Sequence, residues 1–365
     1  MDIQRNVELA QFSSFKVGGK ADYFFEANSR DEAVEALSFA RAKNLPVTIL
    51  GGGSNILISD KGISGLVILV NIKGIKIIDQ NFAQPLLEIG AGELWDDAVA
   101  FAAANNLWGI ENMSAIPGRV GAFASGNVGA YGQEAAQVLQ SVEALNIKTG
   151  ENKTFSNPDM QFAYRKSILN TVEKGNYVIT TVTLRLQKEP NPNLSYKDVQ
   201  KYFEKQQTAV ACFQPSIKEI REAIIAIRQA KLPEPKIIGN AGSFFKNIFV
   251  DDGEFKTIQE TVKKNFGQEA ADKISFQADG SARKISAAYL IELCGLKGWS
   301  VGGAQIYPKH SLIIVNTGNA TAGDILNLAK HIRQEVFAKT LARLTPEPIF
   351  LGYSELELQE FYDLT

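Results

Sequence analysis

Three consecutive glycines, Gly51, Gly52 and Gly53, directly follow an apolar segment at 47–50 that the sequence predicts to be a strand. Residues without a Cβ expose a row of backbone N–H groups, which is what a site for phosphate or pyrophosphate requires. The spacing G-x-G-x-x-G of the Rossmann fingerprint is absent, and no Gly-Lys-Ser/Thr of a Walker loop follows. The sequence after the glycines is again strand-like, so a tight turn between two strands is the alternative interpretation.

A second glycine-rich segment, SAIPGRVGAFASGNVGAYG, occupies residues 114–132. Its glycines stand among small residues, so the backbone can lie flat against a planar ligand and offer N–H and C=O groups at close approach. The whole stretch from Asn112 to Gly132 is expected to be irregular, and so long a stretch without regular secondary structure is usually functional inside a compact domain. The alternative is an irregular loop that packs against the rest of its domain.

The chain has 365 residues, more than the ~250–300 that one hydrophobic core usually supports, so two or three domains are expected. Its 38 basic and 40 acidic residues give a net charge of −2, which argues against nucleic-acid and membrane-surface partners. This balance leaves room for a local basic pocket that takes an anionic small molecule. The N-terminus lacks the pattern of a signal peptide, and the longest apolar runs have the length of strands.

Cysteine and histidine are scarce, namely Cys212, Cys294, His310 and His331. Two thiols in so long a chain cannot form a disulfide framework, so a reducing compartment, the cytoplasm, is expected. The scatter of these four residues over the C-terminal half argues against a His/Cys metal site, and no metal is expected. If the chain is an enzyme, its proton chemistry should use other groups.

Capping boxes predict the starts of two helices. Ser29 and Glu32 begin one that continues to about residue 44, and Ser216 and Glu219 begin another with isoleucines on one face. Further helices are expected at about 94–105 and 322–337, and strands at 21–27, 47–50, 73–78, 86–89, 142–147 and 177–186. The segment 188–195 is predicted to be a linker or loop.

The two glycine segments, at this spacing, resemble those of the UDP-N-acetylenolpyruvoylglucosamine reductases of bacterial cell-wall synthesis, and the resemblance covers essentially the whole chain. The motifs that carry it are SSFKVGGKAD (13–22), GGGSNILISD (51–60), IPGRVGAF (116–123), NVGAYG (127–132), FAYRKSIL (162–169), KLPEPKIIGNAGSFFKN (231–247), FQADGSARKISAAYLIELCGLKG (276–298) and LTPEPIFLG (344–352). The segment IGNAGSFFKN is highly specific to that family, whereas GGGSN is shared more widely among flavoproteins of the same FAD-binding fold.

The resemblance implies an α+β protein with a two-subdomain FAD-binding fold (PCMH/vanillyl-alcohol-oxidase type) and a third α+β domain that binds substrate. Residues 1–70 would form the first FAD-binding subdomain, with the glycine loop for pyrophosphate, and residues 71–213 the second. Residues 214–338 would form the substrate-binding domain. Residues 339–365 would be a C-terminal segment that returns to the FAD-binding part.

A flavoenzyme is the function that the resemblance implies. In this family NADPH reduces FAD, and the enolpyruvyl ether of UDP-N-acetylglucosamine is then reduced to UDP-N-acetylmuramate for peptidoglycan synthesis. The FAD would be held noncovalently, because residues 1–211 contain no His or Cys for a covalent link. The residues expected to hold it are Gly51, Gly52, Gly53, Ser54, Asn55, Ile116, Pro117, Gly118, Gly121, Asn127, Gly129, Ala130 and Tyr131.

Hydride addition to the terminal carbon of an enol ether pushes negative charge onto the neighbouring carbon and its carboxylate, so a proton donor and a cation are required. By resemblance, Ser243 matches the family's proton donor, Glu347 the glutamate that orients or recharges the donor, and Arg165 the catalytic arginine. A guanidinium can grip the substrate carboxylate with paired donors. The plain structural alternatives are a turn serine, a solvated surface carboxylate and an arginine at a strand edge.

Four further residues match substrate-binding positions of the family. Lys231 and Asn247 would contact the diphosphate region of NADPH or the UDP-sugar, and Tyr164 would lie beside the arginine of its motif. Tyr196 matches a mobile-loop tyrosine found in one subgroup. The alternatives are a lysine that complements a helix dipole, for Lys231, and an ordinary loop aromatic, for Tyr196.

The sequence departs from the family pattern at a few positions. Gly126 stands where Gln is frequent, Phe123 and Ala124 replace residues that are usually small or proline, and His310 stands where some members have Gln. These departures concern the flavin contacts and not the cofactor itself. Two other functions are an FAD-linked hydroxy-acid oxidase, against which GNAGSFFKN argues, and a nucleotide-sugar or flavin binder without catalysis, against which the three catalytic candidates argue together.

Overall fold

A computed structural model describes residues 2–79, 83–206, 214–277 and 283–364, so Cys212 lies outside the described part. In chain order its strands are β1 (Gln4–Glu8), β2 (Lys20–Ala27), β3 (Val47–Leu50), β4 (Ile56–Ile58), β5 (Ile63–Val70), β6 (Ile75–Asp79), β7 (Leu86–Gly90), β8 (Gly129–Ala130), β9 (Gln133–Glu134), β10 (Leu139–Asn146), β11 (Asn152–Ser156), β12 (Tyr177–Arg185), β13 (Gly239–Ser243), β14 (Ile248–Val250), β15 (Ser275–Gln277), β16 (Arg283–Ile285), β17 (Ser300–Val301), β18 (Ala304–Ile306), β19 (Ile313–Asn316) and β20 (Ile349–Leu351). Its α-helices are α1 (Arg30–Ala42), α2 (Trp95–Ala104), α3 (Val120–Ser125), α4 (Ala135–Val138), α5 (Lys197–Gln206), α6 (Ile217–Lys231), α7 (Asp252–Phe266), α8 (Gln268–Lys273), α9 (Ala287–Leu293), α10 (Ala322–Thr340) and α11 (Glu355–Tyr362).

Helix α1 begins where its capping residues predict. The hydroxyl of Ser29 accepts the N–H of Glu32 at 3.1 Å, and the carboxylate of Glu32 accepts the N–H of Asn28 at 2.7 Å. A cap of this kind contributes ~1 kcal/mol. The helix then buries one face, with Ala33 and Leu37 fully inaccessible to solvent.

Contacts between residues divide the chain into two compact units, each built from separated segments. Unit 1 comprises Met1–Val7, Ala21–Gly52 and Ser64–Ala230, and unit 2 comprises Glu8–Lys20, Gly53–Ile63 and Lys231–Thr365.

Unit 1 contains a four-stranded sheet, a five-stranded sheet and the short β8–β9 hairpin. In the four-stranded sheet of order β1-β2-β5-β3, strands β3 and β5 are parallel. Helix α1 packs on this sheet, and its Leu37 shares a hydrophobic core with Leu66 and Ile68 of β5. The five-stranded sheet has the order β11-β10-β12-β7-β6 with antiparallel neighbours. Helices α2 and α3 cover it, and the rings of Trp95 and Phe123 stack at 3.5 Å between centroids.

Unit 2 contains an antiparallel sheet of order β13-β19-β18-β17 and a three-stranded sheet of order β14-β16-β15. Helices α7 to α10 share one hydrophobic core with these sheets. Strand β20 pairs in parallel with β4, with Ile349 opposite Ile56. This pairing joins the motif that contains Glu347 to the strand that follows the glycine triplet.

One expectation about local structure needs correction. The stretch 112–132 is not irregular throughout, because it contains the helix α3 and the first strand of the short β8–β9 hairpin. Glycine and small residues hide a six-residue helix in the sequence, since they carry little hydrophobic periodicity. Helix α3 forms because Val120, Phe123 and Ala124 are buried against α2 and the five-stranded sheet.

Candidate active site

The two glycine-rich segments meet in unit 1. A Cβ on Gly52 would lie 2.8 Å from the Cα of Gly118, and a Cβ on Gly51 would lie 3.5 Å from the Cβ of Ala122. Gly121, on α3, would place a Cβ 3.0 Å from that of Ala91. At Gly52 the two backbones leave no room for a side chain, so glycine is required there, whereas a Cβ on Gly51 would make an ordinary contact.

The glycine loop continues in unit 2 as Gly53, Ser54 and Asn55. At Gly53, φ is +63° and a Cβ would lie 1.8 Å from the carbonyl oxygen of Phe12, so only glycine fits. Within the described residues no group accepts the N–H of Gly52 or Gly53, and the buried Oδ1 of Asn55 has no hydrogen-bond partner. Phosphate oxygens and a hydroxyl group would satisfy these groups, so the loop fits a nucleotide cofactor.

The second glycine segment is fixed at its start by a charged pair. The carboxylate of Asp96, on α2, accepts two hydrogen bonds from Arg221 of α6, at 2.6 and 2.9 Å, and the N–H of Ala115 at 2.6 Å. Burial raises the pKa of Asp96, but the bonds from Arg221 and Ala115 and the charge of Arg228 outweigh it and leave the pKa below its usual value. Arg228 also donates to the carbonyl of Ala115 at 3.2 Å, so α6 holds the segment twice.

A buried polar network holds the other end of the segment. The fully buried carboxylate of Glu111 accepts the side-chain N–H of Gln133 at 2.7 Å, and Gln133 accepts the backbone N–H of Asn112 at 2.9 Å. The carboxamide of Asn112 donates to the carbonyls of Tyr131 and Asn193 at 2.8 and 2.7 Å. Burial raises the pKa of Glu111 above its usual value. The sequence interpretation missed this network because its members show no local pattern.

Arg165 lies in a four-residue turn. Its backbone has φ +56°, a left-handed conformation that non-glycine residues rarely adopt. The turn closes through two hydrogen bonds between Ala163 and Lys166, at 3.1 and 2.9 Å. The guanidinium of Arg165 donates to the carbonyls of Asn127 at 3.4 Å and Gly129 at 3.0 Å. The structure therefore brings the predicted catalytic arginine to the predicted flavin loop.

Two aromatic candidates lie at the same loop. The ring of Tyr164 faces the Arg165 guanidinium at 5.6 Å, and Tyr164 is 39% exposed. The ring of Tyr196, which precedes α5, meets the ring of Tyr131 edge-on at 5.2 Å. Burial raises the pKa of Tyr131, although Arg228 lowers it by its charge and a hydrogen bond.

The other predicted flavin residues lie on the same segment. Ile116 packs against the core of the five-stranded sheet, and Pro117 is exposed. Gly129 and Ala130 form strand β8, where a Cβ on Gly129 would lie 2.6 Å from the carbonyl oxygen of Gln133. Asn127 is 1% exposed and lies between α3 and β8.

Ser243 ends strand β13 in unit 2, directly after a break in the ladder with β19 between Asn240 and Ser243. Gly242 supplies φ +70° at this irregularity, and its N–H is bound by the side chain of Asn240 at 2.9 Å. Such irregularities often re-aim a side chain. The rings of Phe244 and Phe245, buried after Ser243, anchor the segment that follows.

Glu347 lies beside Ser243 in the fold. Its backbone N–H donates to the carbonyl of Phe244 at 2.8 Å, and Pro346 pairs with Phe245. On its other side, the carbonyl of Glu347 accepts the side-chain N–H of Asn55 at 3.4 Å. Three distant motifs of the sequence, which contain Asn55, Ser243 and Glu347, are thus joined within unit 2.

Burial is the largest cause that lowers the pKa of His310. The charge of Glu292 raises this pKa, and the charges of Lys297 and of Lys231, at the end of α6, lower it further. Asn247 is half-buried and accepts the N–H of Ala287 at 3.3 Å, which ties it to the start of α9.

Across the described ranges, no group of three His, Cys, Asp or Glu side chains is placed to hold a metal ion. None of the helices that the structure describes is both long and apolar enough to span a bilayer.

Two protein-family models match parts of this chain. Residues 21–156 match the model of an FAD-binding domain, and residues 233–351 match that of the C-terminal domain of UDP-N-acetylenolpyruvoylglucosamine reductase. The UDP-N-acetylenolpyruvoylglucosamine reductase of Flavobacterium johnsoniae is 39% identical over 338 residues, which cover 92% of this chain and 96% of that protein. The chain belongs to the UDP-N-acetylenolpyruvoylglucosamine reductase family.

Two other members of this reductase family extend the comparison. The protein from Neisseria gonorrhoeae is 38% identical over 353 residues, 96% of this chain and 98% of its own. The crystal structure of the reductase from Thermus caldophilus superposes with a TM-score of 0.67 at 25% identity, over 96% of this chain and all of that one. The predicted family, the α+β fold with an FAD-binding domain, and the assignment as an FAD-dependent oxidoreductase are confirmed.

Proposed function

We propose that this chain catalyses the NADPH-dependent reduction of UDP-N-acetylenolpyruvoylglucosamine to UDP-N-acetylmuramate, a step of peptidoglycan precursor synthesis in the cytoplasm. The structural observation that supports this most directly is the hydrogen bond of 2.8 Å from the Glu347 N–H to the carbonyl of Phe244, next to Ser243. This backbone bond joins the segment that carries Glu347 to the segment that carries Ser243, and the reaction needs a carboxylate and a hydroxyl. The partners are small molecules, and no nucleic acid or membrane takes part.

The glycine loop from Gly51 to Asn55 and the segment from Ile116 to Tyr131 would hold FAD noncovalently. The chemistry that FAD would supply when bound is the transfer of a hydride from NADPH to the substrate. The backbone N–H groups of Gly52 and Gly53 would bind the diphosphate, and the unpartnered Oδ1 of Asn55 would accept a hydroxyl. The close approach of Gly52 to Gly118 leaves no room for a side chain between the segments.

Ser243 would donate the proton to the carbon next to the carboxylate. A serine hydroxyl is a weak acid, but the carbon that receives the proton is far more basic, so the transfer is downhill. Glu347 would orient the hydroxyl or return a proton to it after turnover. General acid catalysis of this kind contributes ~10²–10⁴-fold to the rate.

Arg165 would bind the carboxylate of the enolpyruvyl group and stabilise the negative charge that develops on it. A guanidinium offers donors in a fixed fork that matches a carboxylate, and it stays charged at all working pH values. Lys231 and Asn247 would contact the diphosphate of NADPH or the UDP-sugar, and Tyr164 and Tyr196 would also contact the substrate.

The purified protein tests the proposal directly. A yellow colour, a flavin absorbance that is released on denaturation, and substrate-dependent NADPH oxidation that yields UDP-N-acetylmuramate by mass spectrometry are expected. A protein without flavin, or NADPH oxidation that the enolpyruvyl substrate does not increase, would contradict it.

Replacing Ser243 by alanine separates the two half-reactions. Flavin reduction by NADPH should stay nearly unchanged in Ser243→Ala, whereas reoxidation by the enolpyruvyl substrate should slow by ~10²-fold or more, as followed by stopped-flow absorbance. Ser300→Ala, which alters an exposed serine of the same unit, is the control and should change neither rate. Equal slowing of both half-reactions in Ser243→Ala would rule out Ser243 as the proton donor.

A further inference from the structure

The side chain of Asn127 is fully engaged with the protein's own backbone. Its Nδ2 donates to the carbonyl of Ala163 at 3.0 Å, and its Oδ1 accepts the N–H of Ala136 at 3.0 Å. The residue is 1% exposed and has φ +42°, a conformation that asparagine tolerates better than most residues. A buried carboxamide with both ends bonded holds two segments at a fixed separation.

Those two segments are the turn that carries Arg165 and the start of helix α4. The carbonyl of Ala163 accepts from both Lys166 and Asn127, so the carboxamide binds the closing point of the turn. Left-handed backbone at Arg165 is unfavourable on its own and persists only where its surroundings determine it. Asn170 also holds the turn, through a bond to the carbonyl of Arg165 at 3.2 Å.

The Arg165 side chain completes a closed ring of contacts. Its guanidinium returns to the backbone carbonyl of Asn127 itself, at 3.4 Å, and to that of Gly129. The side chain of Asn127 therefore binds the backbone of the turn that carries Arg165, and the backbone carbonyl of Asn127 binds the guanidinium of Arg165.

We propose that Asn127 is a positioning residue, whose carboxamide fixes Arg165 for the carboxylate of the substrate. This inference rests on the proposed role of Arg165. It also assigns the Asn127 side chain to the arginine's turn, whereas the family resemblance suggested a flavin contact. A misplacement of ~1 Å in a positioning group can cost ~10²-fold in rate, so the expected effect is large.

Three variants separate positioning from general damage. Asn127→Ala removes both carboxamide bonds, and Asn127→Gly removes them while allowing the positive φ without strain. The matched control is Asn157→Ala, because Asn157 donates to the carbonyls of Ala136 and Leu139, each at 2.8 Å, and so also holds α4. No hydrogen bond of the described chain joins Asn157 to the turn of Arg165.

Both Asn127 variants should slow flavin reoxidation by the enolpyruvyl substrate by ~10–100-fold, and should weaken the binding of UDP-N-acetylmuramate in isothermal titration calorimetry by ~10-fold or more. Flavin reduction by NADPH should slow less than reoxidation does, because the carboxylate that Arg165 would bind takes no part in that half-reaction. Asn157→Ala should leave all three measurements near those of the parent enzyme. Equal behaviour of the Gly and Ala variants would show that the carboxamide, and not the backbone conformation, is responsible.

The double variant Asn127→Ala/Arg165→Ala distinguishes the two levels of the proposal. If Asn127 acts through Arg165, the double variant should be no slower than Arg165→Ala alone. Arg165→Ala with unchanged reoxidation and product binding would refute the proposed role of Arg165 itself. Impaired Arg165→Ala together with Asn127 variants that match Asn157→Ala would refute the positioning role alone.

Discussion

Gly52→Ala tests whether the contact between the two glycine segments supports the cofactor site. The new Cβ would lie 2.8 Å from the Cα of Gly118, and 3.1 Å from both its carbonyl carbon and the nitrogen of Arg119. All three are backbone atoms, and the N–H of Trp95 holds the carbonyl of Gly118 at 3.0 Å, so no rotamer change relieves the overlap. Carbon atoms normally approach to ~3.5–4.0 Å, so the segments must separate by about 0.5–1 Å.

Overpacking of this kind costs ~1–3 kcal/mol. The free energy of unfolding of the FAD-free protein should fall by that amount, as measured by urea denaturation. If the same separation opens the diphosphate cradle, FAD binding should weaken by ~5–150-fold, since ~1.4 kcal/mol corresponds to a factor of ten. Titration of the FAD-free protein with FAD, followed by flavin fluorescence, measures this directly.

Gly51→Ala is the matched control in the same loop. Its Cβ would meet the Cβ of Ala122 at 3.5 Å, an ordinary van der Waals distance. The free energy of unfolding should therefore stay within ~0.5 kcal/mol of that of the parent protein, and FAD affinity should fall less than in Gly52→Ala. Identical behaviour of the Gly51 and Gly52 variants, in either direction, would refute the argument from backbone contact.

Three further predictions concern single side chains. Asp96→Asn should lower the free energy of unfolding by ~1–2 kcal/mol at pH 7. This is less than for a fully buried ion pair, because Asp96 is about a third exposed to solvent. The difference between the variant and the parent protein should shrink at pH 3. The difference shrinks at low pH because the pKa of Asp96 is lowered in the folded state. The charged carboxylate stabilises the protein above the unfolded-state pKa of ~4, and this stabilisation is lost as the pH falls through the folded-state pKa. Urea denaturation at pH 7 and at pH 3 measures the difference. In Gly242→Ala the new Cβ meets no atom within 4 Å, but alanine must adopt φ +70°, so the free energy of unfolding should fall by ~1 kcal/mol. Substrate-dependent flavin reoxidation should also slow, because Gly242 precedes Ser243. An unchanged rate would show that the irregularity in the strand does not orient Ser243. Burial raises the pKa of the Cys294 thiol to about 11. In a variant that lacks the other cysteine, iodoacetamide at pH 8 should therefore alkylate the unfolded chain at least ~10-fold faster than the folded chain. Equal alkylation rates would contradict the burial of Cys294.

Local signals of the sequence predicted local structure well. The capping residues Ser29 and Ser216 mark the starts of α1 and α6, because a cap depends on residues three positions apart. The strand predicted at 47–50 is β3, and the strand predicted at 177–186 corresponds to β12. Such elements are visible because their determinants lie within a few residues of one another.

Long-range partners could not be predicted in the same way. Asp96 and Arg221 are 125 residues apart, and nothing near either residue specifies the other. The buried carboxylate of Glu111 accepts a hydrogen bond from Gln133, 22 residues later, so the residues next to Glu111 in the sequence do not reveal its burial. Motifs brought Ser243, Glu347 and Arg165 to attention, but only the fold joins the first two through Phe244.

The interleaved course of the chain has a consequence for its synthesis. Strand β4 pairs with β20, about 300 residues later, and β20 is made last among the strands that the structure describes. At ~5–20 residues per second on a ribosome, the apolar segment Ile56–Ile58 must wait about 15–60 s for its partner. Chaperones that cover nascent apolar segments should therefore raise the yield of folded enzyme. Unit 2 cannot be produced as one uninterrupted fragment, because residues 8–20 and 53–63 belong to it.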